Sequence, residues 1–485
     1  MGNTGSSLPS LSQAGSALQL CLNNLSDVKP YNTNIPVIPA AVTRPTTSAE
    51  VAQIVQCAVA SAVKVQARSG GHSYGNYGKW IGGEDNAVVV DMMNFQQYSM
   101  TTRPGRRPSV PARPWRISRR ACTMRAAVRS PTGLARRWAS EGTRRSADSD
   151  QSHDNGARAL DHVLEVEMVL VNGTVTRASA TQNPDITIRS AVKGAAASFG
   201  IVTEFVFLTH PEPPSAVRYS YTLEYVVPSS CLSLGAHADI QLGKHAALAS
   251  TFAAWQAIVA DPALDRKLAS EVIVFELGMV ITGTYFGTRD EYNALNFEQR
   301  LTQNATTVSV TVFDDWLGMV GNWAETEALK LVAAYAFYSK GLTFTADTLI
   351  PANGIQDLFN YFDSADKSTL LWFAIFGVEG GAVNDVAQDA TAYAHRDALF
   401  YMQTYAISLS TLSNTTTAFV IGIGDVVTGS MPGVQFGGVR GPCRIFRADA
   451  DDPSPKLTDG PQQYWARTSR GCSASRRGGP RGCVP

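Results

Sequence analysis

The chain has 485 residues, 44% of them hydrophobic and 17% charged, and its formal net charge is zero. This length allows two sizeable domains, and the balanced charge gives no reason to expect nucleic acid as a partner. No run of 18 apolar residues predicts a membrane span, and the seven cysteines show no zinc-binding or CxxC spacing, so we expect no metal site.

The N-terminal segment, residues 1–35, carries little structural signal. Met1–Ser6 lacks a basic region and an apolar core, so it is not a secretory signal as written, and a cytoplasmic location is favoured over secretion. One short helix is predicted near Ala17–Leu25.

A glycine-rich loop follows the first alternating strand pattern, Val63–Ala67. The loop consists of Arg68, Ser69, Gly70, Gly71, His72, Ser73 and Tyr74. Two consecutive glycines let a backbone turn sharply and approach a ligand, and successive turn amides suit a pyrophosphate. Taken alone, the loop is equally compatible with an exposed turn that binds nothing.

The flanking patterns favour a ligand-binding loop. Thr47 and Glu50 form a capping-box pattern, and apolar residues then recur at helical spacing. After the loop, Ala87–Met92 has the pattern of a buried strand. Strand, helix, strand, glycine-rich loop and strand is the order at the start of the flavin domain in the vanillyl-alcohol-oxidase class, and Pro36–Asn94 resembles that class. Within it, the chain resembles fungal oligosaccharide oxidases and berberine-bridge-like enzymes, which carry a PCMH-type FAD-binding domain.

The resemblance implies that His72 holds FAD covalently through the 8α-methyl group of the flavin. An oxidised flavin can lose a proton from that methyl group, and a neutral imidazole can then add to the electrophilic carbon. The resemblance also implies that backbone groups of Gly200, Ile201 and Val202 line the flavin.

The implied fold is α+β. It is the two-domain PCMH-type FAD-binding fold. Both chain ends form its FAD-binding domain, and the second domain is a substrate domain with an antiparallel sheet. We expect the FAD-binding domain at 36–212, the substrate domain at 213–430 and a return to the FAD-binding domain at 431–485. A proline cluster, Pro211–Pro214, marks the first boundary. In the substrate domain, sequence patterns predict strands at Val272–Leu277, Met279–Phe286 and Thr307–Phe313 and a helix at Ile355–Ala365.

An arginine-rich stretch interrupts the FAD-binding domain. Thirteen arginines and no lysine lie between Arg103 and Arg145, and hydrophobic periodicity is lost. One interpretation is a disordered basic insert that contacts phosphates, which predicts strongly salt-dependent DNA binding. The other is a frameshift over roughly 104–158. Regrouping the back-translated codons from Pro131 to Thr143 permits Ala-His-Gly-Thr-Cys-Pro-x-Val-Gly-Ile-Gly-Gly-His. That string resembles the family's second flavin motif, whose cysteine is absent from the chain as written.

Two stretches of the substrate domain could face a substrate. Trp372–Gly381 matches a family strand, and some relatives carry an aspartate where this chain has Gly377. Alternate residues on a strand share a face, so Tyr401, Gln403 and Tyr405 could point toward the flavin together and are the candidate catalytic residues. Aromatic side chains packed within a sheet are an equal alternative.

The catalytic base stays unassigned. In the family it is a tyrosine near the C-terminal end of the substrate domain, but Arg444–Ala450 contains no tyrosine. A wrongly spliced boundary between about 437 and 455 is one explanation. Tyr464 belongs to a later motif, and His395 and Arg396 are expected to be structural.

The function implied is FAD-dependent oxidation of an alcohol, a hydroxyl of a carbohydrate or secondary metabolite, by hydride transfer to the flavin. Expected partners are this small-molecule alcohol or saccharide and molecular oxygen as the electron acceptor, with no nucleic acid and no membrane span. The alternative is a non-enzymatic or inactive product of a defective gene model, which would purify without colour.

Overall fold

The computed structural model describes residues 20–21, 31–35, 39–69, 87–95, 97, 99–100, 113–117, 128–129, 159–183, 193, 196, 199–211, 213–224, 245–301, 305–326, 335–393 and 395–434. Its strands are β1 (Leu20–Cys21), β2 (Ala41–Thr43), β3 (Val65–Arg68), β4 (Val88–Asp91), β5 (Ser99–Met100), β6 (Arg113–Ile117), β7 (Val128–Arg129), β8 (Val163–Leu170), β9 (Val175–Ser179), β10 (Gly200–Pro211), β11 (Ala216–Glu224), β12 (Leu268–Phe275), β13 (Gly278–Tyr285), β14 (Thr307–Phe313), β15 (Ala336–Thr345), β16 (Trp372–Val378) and β17 (Ala398–Ser408). Its α-helices are α1 (Ser48–Ala60), α2 (Ala249–Val259), α3 (Arg289–Ala294), α4 (Phe297–Arg300), α5 (Trp316–Thr326), α6 (Ala352–Ser364) and α7 (Asn414–Gly429).

A small sheet near the N-terminus has the order β1-β2-β4-β3. β4 lies between β2 and β3 and is parallel to both, and α1 connects β2 to β3. The predicted cap is present, because Thr47 Oγ1 accepts a hydrogen bond from the Glu50 amide at 3.2 Å. The Glu50 carboxylate accepts from the Thr46 amide at 2.6 Å, one residue before the cap. The predicted order of strand, helix, strand and strand is confirmed.

A second sheet has the order β5-β6-β10-β8-β9, and β7 also pairs with β10. The predicted turn at Asn172 and Gly173 joins β8 to β9 as an antiparallel hairpin. Gly173 has a φ of +78°, a backbone conformation that favours glycine. Val169 and Ile201 of this sheet pack in one hydrophobic cluster with α1 and β4, so the two sheets share a core.

The third sheet has seven strands in the order β14-β11-β13-β12-β16-β17-β15, and every neighbouring pair is antiparallel. This confirms the antiparallel sheet implied for the substrate domain, and β14 coincides with its predicted range. Helices α2, α6 and α7 supply the buried aromatic side chains that pack on one face, among them Phe252, Trp255, Phe359 and Phe419. We call this the helix-covered face.

Side chains of the opposite face are largely polar, although many of them are buried. They include Arg218, Thr282, Thr284, Ser339, Thr343 and Gln403, each 9% exposed or less. We call this the polar face. It arises because successive residues of a strand point to opposite sides of the sheet.

The N-terminal segment is attached to the edge of the seven-stranded sheet. Asn32 donates to the carbonyl of Phe337 in β15 at 2.9 Å and accepts from its amide at 3.3 Å. The helix predicted near Ala17–Leu25 is wrong at Leu20–Cys21, which pairs with β2 because tertiary pairing overrides a weak local preference. None of the helices in the described ranges is long and apolar enough to cross a membrane.

Candidate flavin and substrate site

The predicted flavin loop leaves the small sheet at the carboxyl end of β3. Arg68 is the last residue of β3 and lies opposite Asp91 of the parallel strand β4. Ser69, only 7% exposed, follows it. In open α/β sheets ligands bind outside the carboxyl ends of the parallel strands, which is where this loop begins. The rest of the predicted loop, Gly70, Gly71, His72, Ser73 and Tyr74, lies outside the described residues.

The second predicted flavin-contacting stretch opens β10. Gly200 pairs with Leu170, and a Cβ atom at Gly200 would overlap the carbonyl oxygen of Val169, so the close approach of the two strands requires glycine. Ile201 is buried in the cluster that also contains Val51 of α1. The start of β10 therefore packs in the same hydrophobic core as β3, the strand that leads into the predicted flavin loop.

The residues present fit the diphosphate end of FAD. Arg68 provides a guanidinium and Ser69 a hydroxyl at the point where the loop leaves the sheet, and two glycines follow in the sequence. Turn amides, a hydroxyl and a guanidinium are the donors that a pyrophosphate accepts from. FAD bound there would supply a hydride acceptor.

A buried ion pair connects the approach to β8 with the approach to β17. Arg396 is 2% exposed and donates from Nη1 and Nη2 to the two carboxylate oxygens of Asp161 at 2.8 and 2.7 Å. Its Nη2 also donates to Thr391 Oγ1 at 2.7 Å, and its guanidinium lies 5.0 Å from the centre of the Tyr393 ring. These contacts agree with the structural role predicted for Arg396.

Lys193 completes this cluster. Its Nζ donates to the carbonyl oxygen of Asp161 at 3.1 Å. Burial lowers the pKa of the Lys193 amine, and the positive charge of Arg396 lowers it further, while Asp161 acts in the opposite direction. Two cations and one carboxylate thus meet between the second sheet and the seven-stranded sheet.

Tyr401, Gln403 and Tyr405 all lie on the polar face of β17. Tyr401 pairs with Gly377 of β16 on one side and with Thr343 of β15 on the other. A Cβ atom built on Gly377 would come within 2.5 Å of the Tyr401 hydroxyl oxygen. The tyrosine side chain therefore occupies the space that a side chain at 377 would need.

The other two candidates have different surroundings. The Tyr405 ring stacks on Phe337 of β15, with 5.0 Å between ring centres and 16° between the planes. Gln403 is 6% exposed, and its Nε2 donates weakly to Ser339 Oγ at 3.5 Å. The face therefore presents a phenol, an amide and an aromatic stack side by side.

Two features of this region were absent from the sequence-based predictions. Asp161 and Arg396 are 235 residues apart, and no local pattern marks them as partners. Thr343 lies in a strand, where β-branched residues such as threonine are common, so its place in the sequence gives no sign of a functional role. Its position opposite Tyr401 becomes visible only with the pairing register of β15 and β17. Across the ranges that the structure describes, no group of three or more His, Cys, Asp or Glu residues could hold a metal ion.

Comparison with known proteins identifies the family. The FAD binding domain family matches residues 39–103. "FAD-linked oxidoreductase sorD" of Penicillium rubens is 31% identical over 413 residues, which cover 84% of this chain and 82% of that protein. "Carbohydrate oxidase" of Microdochium nivale is 28% identical and covers 85% of this chain and 81% of its own length.

Solved structures show the same fold. A xylooligosaccharide oxidase from Myceliophthora thermophila superimposes with a TM-score of 0.76 at 22% identity, covering 96% of this chain and 94% of its own. A berberine-bridge-like enzyme from Physcomitrella patens gives 0.76 at 22% identity, covering 98% and 99%. The expected α+β PCMH-type fold, the FAD cofactor and the class of oxidoreductase that acts on hydroxyl groups are thereby confirmed. The chain belongs to the PCMH-type FAD-linked oxidoreductases, the family that includes the fungal oligosaccharide oxidases and the berberine-bridge-like enzymes.

Proposed function

We propose that this enzyme oxidises a hydroxyl-bearing carbon of a saccharide or of a hydroxylated secondary metabolite, with molecular oxygen as the final electron acceptor. The observation that carries the proposal is the polar face of the seven-stranded sheet, where Tyr401, Gln403 and Tyr405 lie in a row on β17. A buried amide beside an aromatic stack suits a polyhydroxylated ring, because the amide exchanges hydrogen bonds with hydroxyl groups and the aromatic ring packs on C–H groups. The relatives named as carbohydrate and oligosaccharide oxidases support this substrate class.

In this proposal the chain binds and orients the alcohol and receives its proton. Gln403 fixes a hydroxyl through its amide, and the Tyr405–Phe337 stack supports the ring of the substrate. Holding the reacting carbon in one orientation lowers the entropic part of the barrier. Of the described phenols in this row, Tyr405 is engaged in stacking, so Tyr401 is the first candidate to test for the hydroxyl proton.

We also propose that His72 links the chain covalently to FAD. A glucooligosaccharide oxidase from Acremonium strictum is described as carrying "6-s-cysteinyl, 8 alpha-N1-histidyl FAD", and it shares the fold at a TM-score of 0.72 and 20% identity. That similarity supports a histidine link here, while the cysteine partner is absent from the chain as written. The proposed frameshift over roughly 104–158 accounts for its absence. It is supported by the end of the family match at residue 103, where the arginine-rich stretch begins.

The first experiment is purification of the full chain followed by acid precipitation. We expect yellow flavin to precipitate with the wild-type protein, and His72→Ala to release it or to bind added FAD only reversibly. Oxygen-free mixing with oligosaccharides should then bleach the flavin absorbance of the wild-type protein, and Tyr401→Phe should slow that bleaching at saturating substrate. A colourless protein that takes up no added FAD would favour the inactive gene product instead.

Sequencing of the transcript across codons 95–165 addresses the frameshift separately. A message in the other frame would restore the cysteine motif and predict a flavin with two covalent links. A message that encodes the arginine-rich stretch would contradict the proposed frameshift in the transcript and leave at most the link through His72.

A further inference from the structure

We propose that Thr343 is a specificity-determining residue that binds a hydroxyl group of the substrate on the polar face beside Tyr401. The inference rests on the proposed function and deepens it. It starts from an unusual hydroxyl: Thr343 is 7% exposed, and no group in the described ranges forms a hydrogen bond with its Oγ1. Burying a hydroxyl without a partner is unfavourable, so such a group in a native protein calls for an explanation.

Other buried hydroxyls of the same sheet have internal partners. Thr404 Oγ1 donates to the carbonyl of Lys340 at 3.1 Å, and Thr282 Oγ1 donates to the carbonyl of Tyr219 at 3.0 Å. In both cases the hydroxyl donates its hydrogen to a main-chain carbonyl of the neighbouring strand. Thr343 therefore differs from these neighbours through its surroundings and not through its residue type.

The side chains next to Thr343 are directed away from it. Tyr401, directly opposite in β17, places its hydroxyl over Gly377 on the far side of that strand. Gln403, the next residue on the same face of β17, reaches toward Ser339 and so in the other direction along β15. Between Thr343 and Ser339 on that face of β15 lies Gly341, which has no side chain. Neither neighbouring side chain of β17 therefore satisfies the Thr343 hydroxyl, and the glycine at 341 gives it no side-chain partner on the same face of β15.

The polar groups nearest to Thr343 on this face define the chemistry of a ligand. A threonine hydroxyl and a glutamine amide each donate and accept hydrogen bonds, and neither carries a charge. They match a neutral group that does the same, which is an alcohol. A neutral threonine hydroxyl is too weak a base to accept the proton of the alcohol that is oxidised, so Thr343 binds a different hydroxyl of the substrate. The substrate class that follows has at least two hydroxyl groups, as a saccharide has.

Thr343→Val tests this because valine has the same shape and lacks the hydroxyl. The matched control is Thr404→Val, on the same pair of strands but on the helix-covered face, where the hydroxyl has an internal partner. Substrates are xylobiose, cellobiose and N,N′-diacetylchitobiose, with steady-state turnover in the presence of oxygen or an added dye acceptor as the assay. For the best of them, we expect Thr343→Val to raise KM about 10-fold or more with kcat changed less than about threefold. Thr343→Ser should restore KM, and Thr404→Val should leave it unchanged.

Thermal unfolding without substrate gives a second, independent result. Thr343→Val should keep or raise the unfolding midpoint because no internal hydrogen bond is lost, whereas Thr404→Val should lower it. A KM within twofold of wild type, or a midpoint lowered as in Thr404→Val, would overturn the role of Thr343 while leaving the oxidase function intact. If no saccharide bleaches the flavin of the wild-type protein, the saccharide substrate class fails and this inference fails with it, while oxidation of a secondary metabolite is tested separately.

Discussion

On one face of β17 lie Phe400, Met402 and Ala406, covered by helices; on the other face of the same strand lie Tyr401, Gln403 and Tyr405. The helix-covered face is mainly apolar, and the burial of apolar surface is the dominant favourable contribution to folding. The polar face buries hydroxyl and amide groups, which gain little by burial alone. A protein selected only for stability would fill that face with apolar residues. We infer that the helix-covered face maintains the fold and that the polar face is retained for binding.

The largest expected effect separates the two faces directly. Trp255→Ala removes a fully buried ring from the helix-covered face and should lower the free energy of unfolding by about 4 kcal/mol. Gln403→Leu, on the polar face, should change it by less than about 1 kcal/mol but should abolish saturable flavin reduction by substrate. Urea unfolding followed by circular dichroism, together with flavin bleaching, measures both quantities. Equal losses of stability in the two variants would contradict the division of roles.

The next largest effect on stability is expected for the Asp161–Arg396 ion pair, which lies just before β17. Asp161→Asn leaves the guanidinium of Arg396 buried without its counter-charge and should cost about 3 kcal/mol of unfolding free energy. Asp161→Leu combined with Arg396→Met removes both charges and should recover much of that loss. Urea midpoints of the single and double variants test this. A double variant less stable than Asp161→Asn would contradict the expectation.

A smaller effect concerns Gly377. Gly377→Ala places a methyl group against the Tyr401 hydroxyl and should cost about 1–3 kcal/mol, because the ring must move. In a Tyr401→Ala background the same change should cost almost nothing. The coupling measured by this double-mutant cycle reports directly how Tyr401 is placed on the polar face. Additive losses would show that the two residues do not touch.

The smallest effect on stability at neutral pH is expected for a pair of buried tyrosines on the helix-covered face. The hydroxyls of Tyr221 and Tyr292 are 2.6 Å apart, and burial raises the pKa of both tyrosines. Their stabilising contribution is present below the ordinary tyrosine pKa of about 10 and is lost as pH rises above it, since only the unfolded chain ionises readily. Tyr292→Phe should cost about 1 kcal/mol at pH 7 and make the alkaline loss of stability shallower. Urea unfolding at several values between pH 7 and 11 tests this, and an unchanged alkaline slope would contradict it.

Local patterns were enough to predict several elements. Thr47 and its capping pattern located the start of α1, the Asn172–Gly173 pair located the hairpin, and the β-branched run Thr307–Phe313 matched β14 in full. In each case the signal lies within a few residues of the structure that it specifies. The alternation that puts Tyr401, Gln403 and Tyr405 on one face was also predictable, because it depends only on the period of a strand.

Features that depend on register between distant segments were not predictable. The sequence does not show that Thr343 faces Tyr401, since that requires the alignment of strands about sixty residues apart. The Asp161–Arg396 pair depends on how two sheets meet. Helix α7, which begins after its Ser413 cap, was also absent from the predictions, because its Thr-rich first turn is a poor helix former and tertiary packing decides the outcome.

The contact between Asn32 and β15 has a practical consequence for any shortened form of this chain. β15 is the last strand of its sheet, and Asn32 occupies hydrogen-bonding groups of Phe337 that would otherwise face outward. An expression product that began at residue 36 would leave that amide and carbonyl available to a strand from another molecule. Such a product would be prone to self-association through β15 even with every strand of the sheet intact.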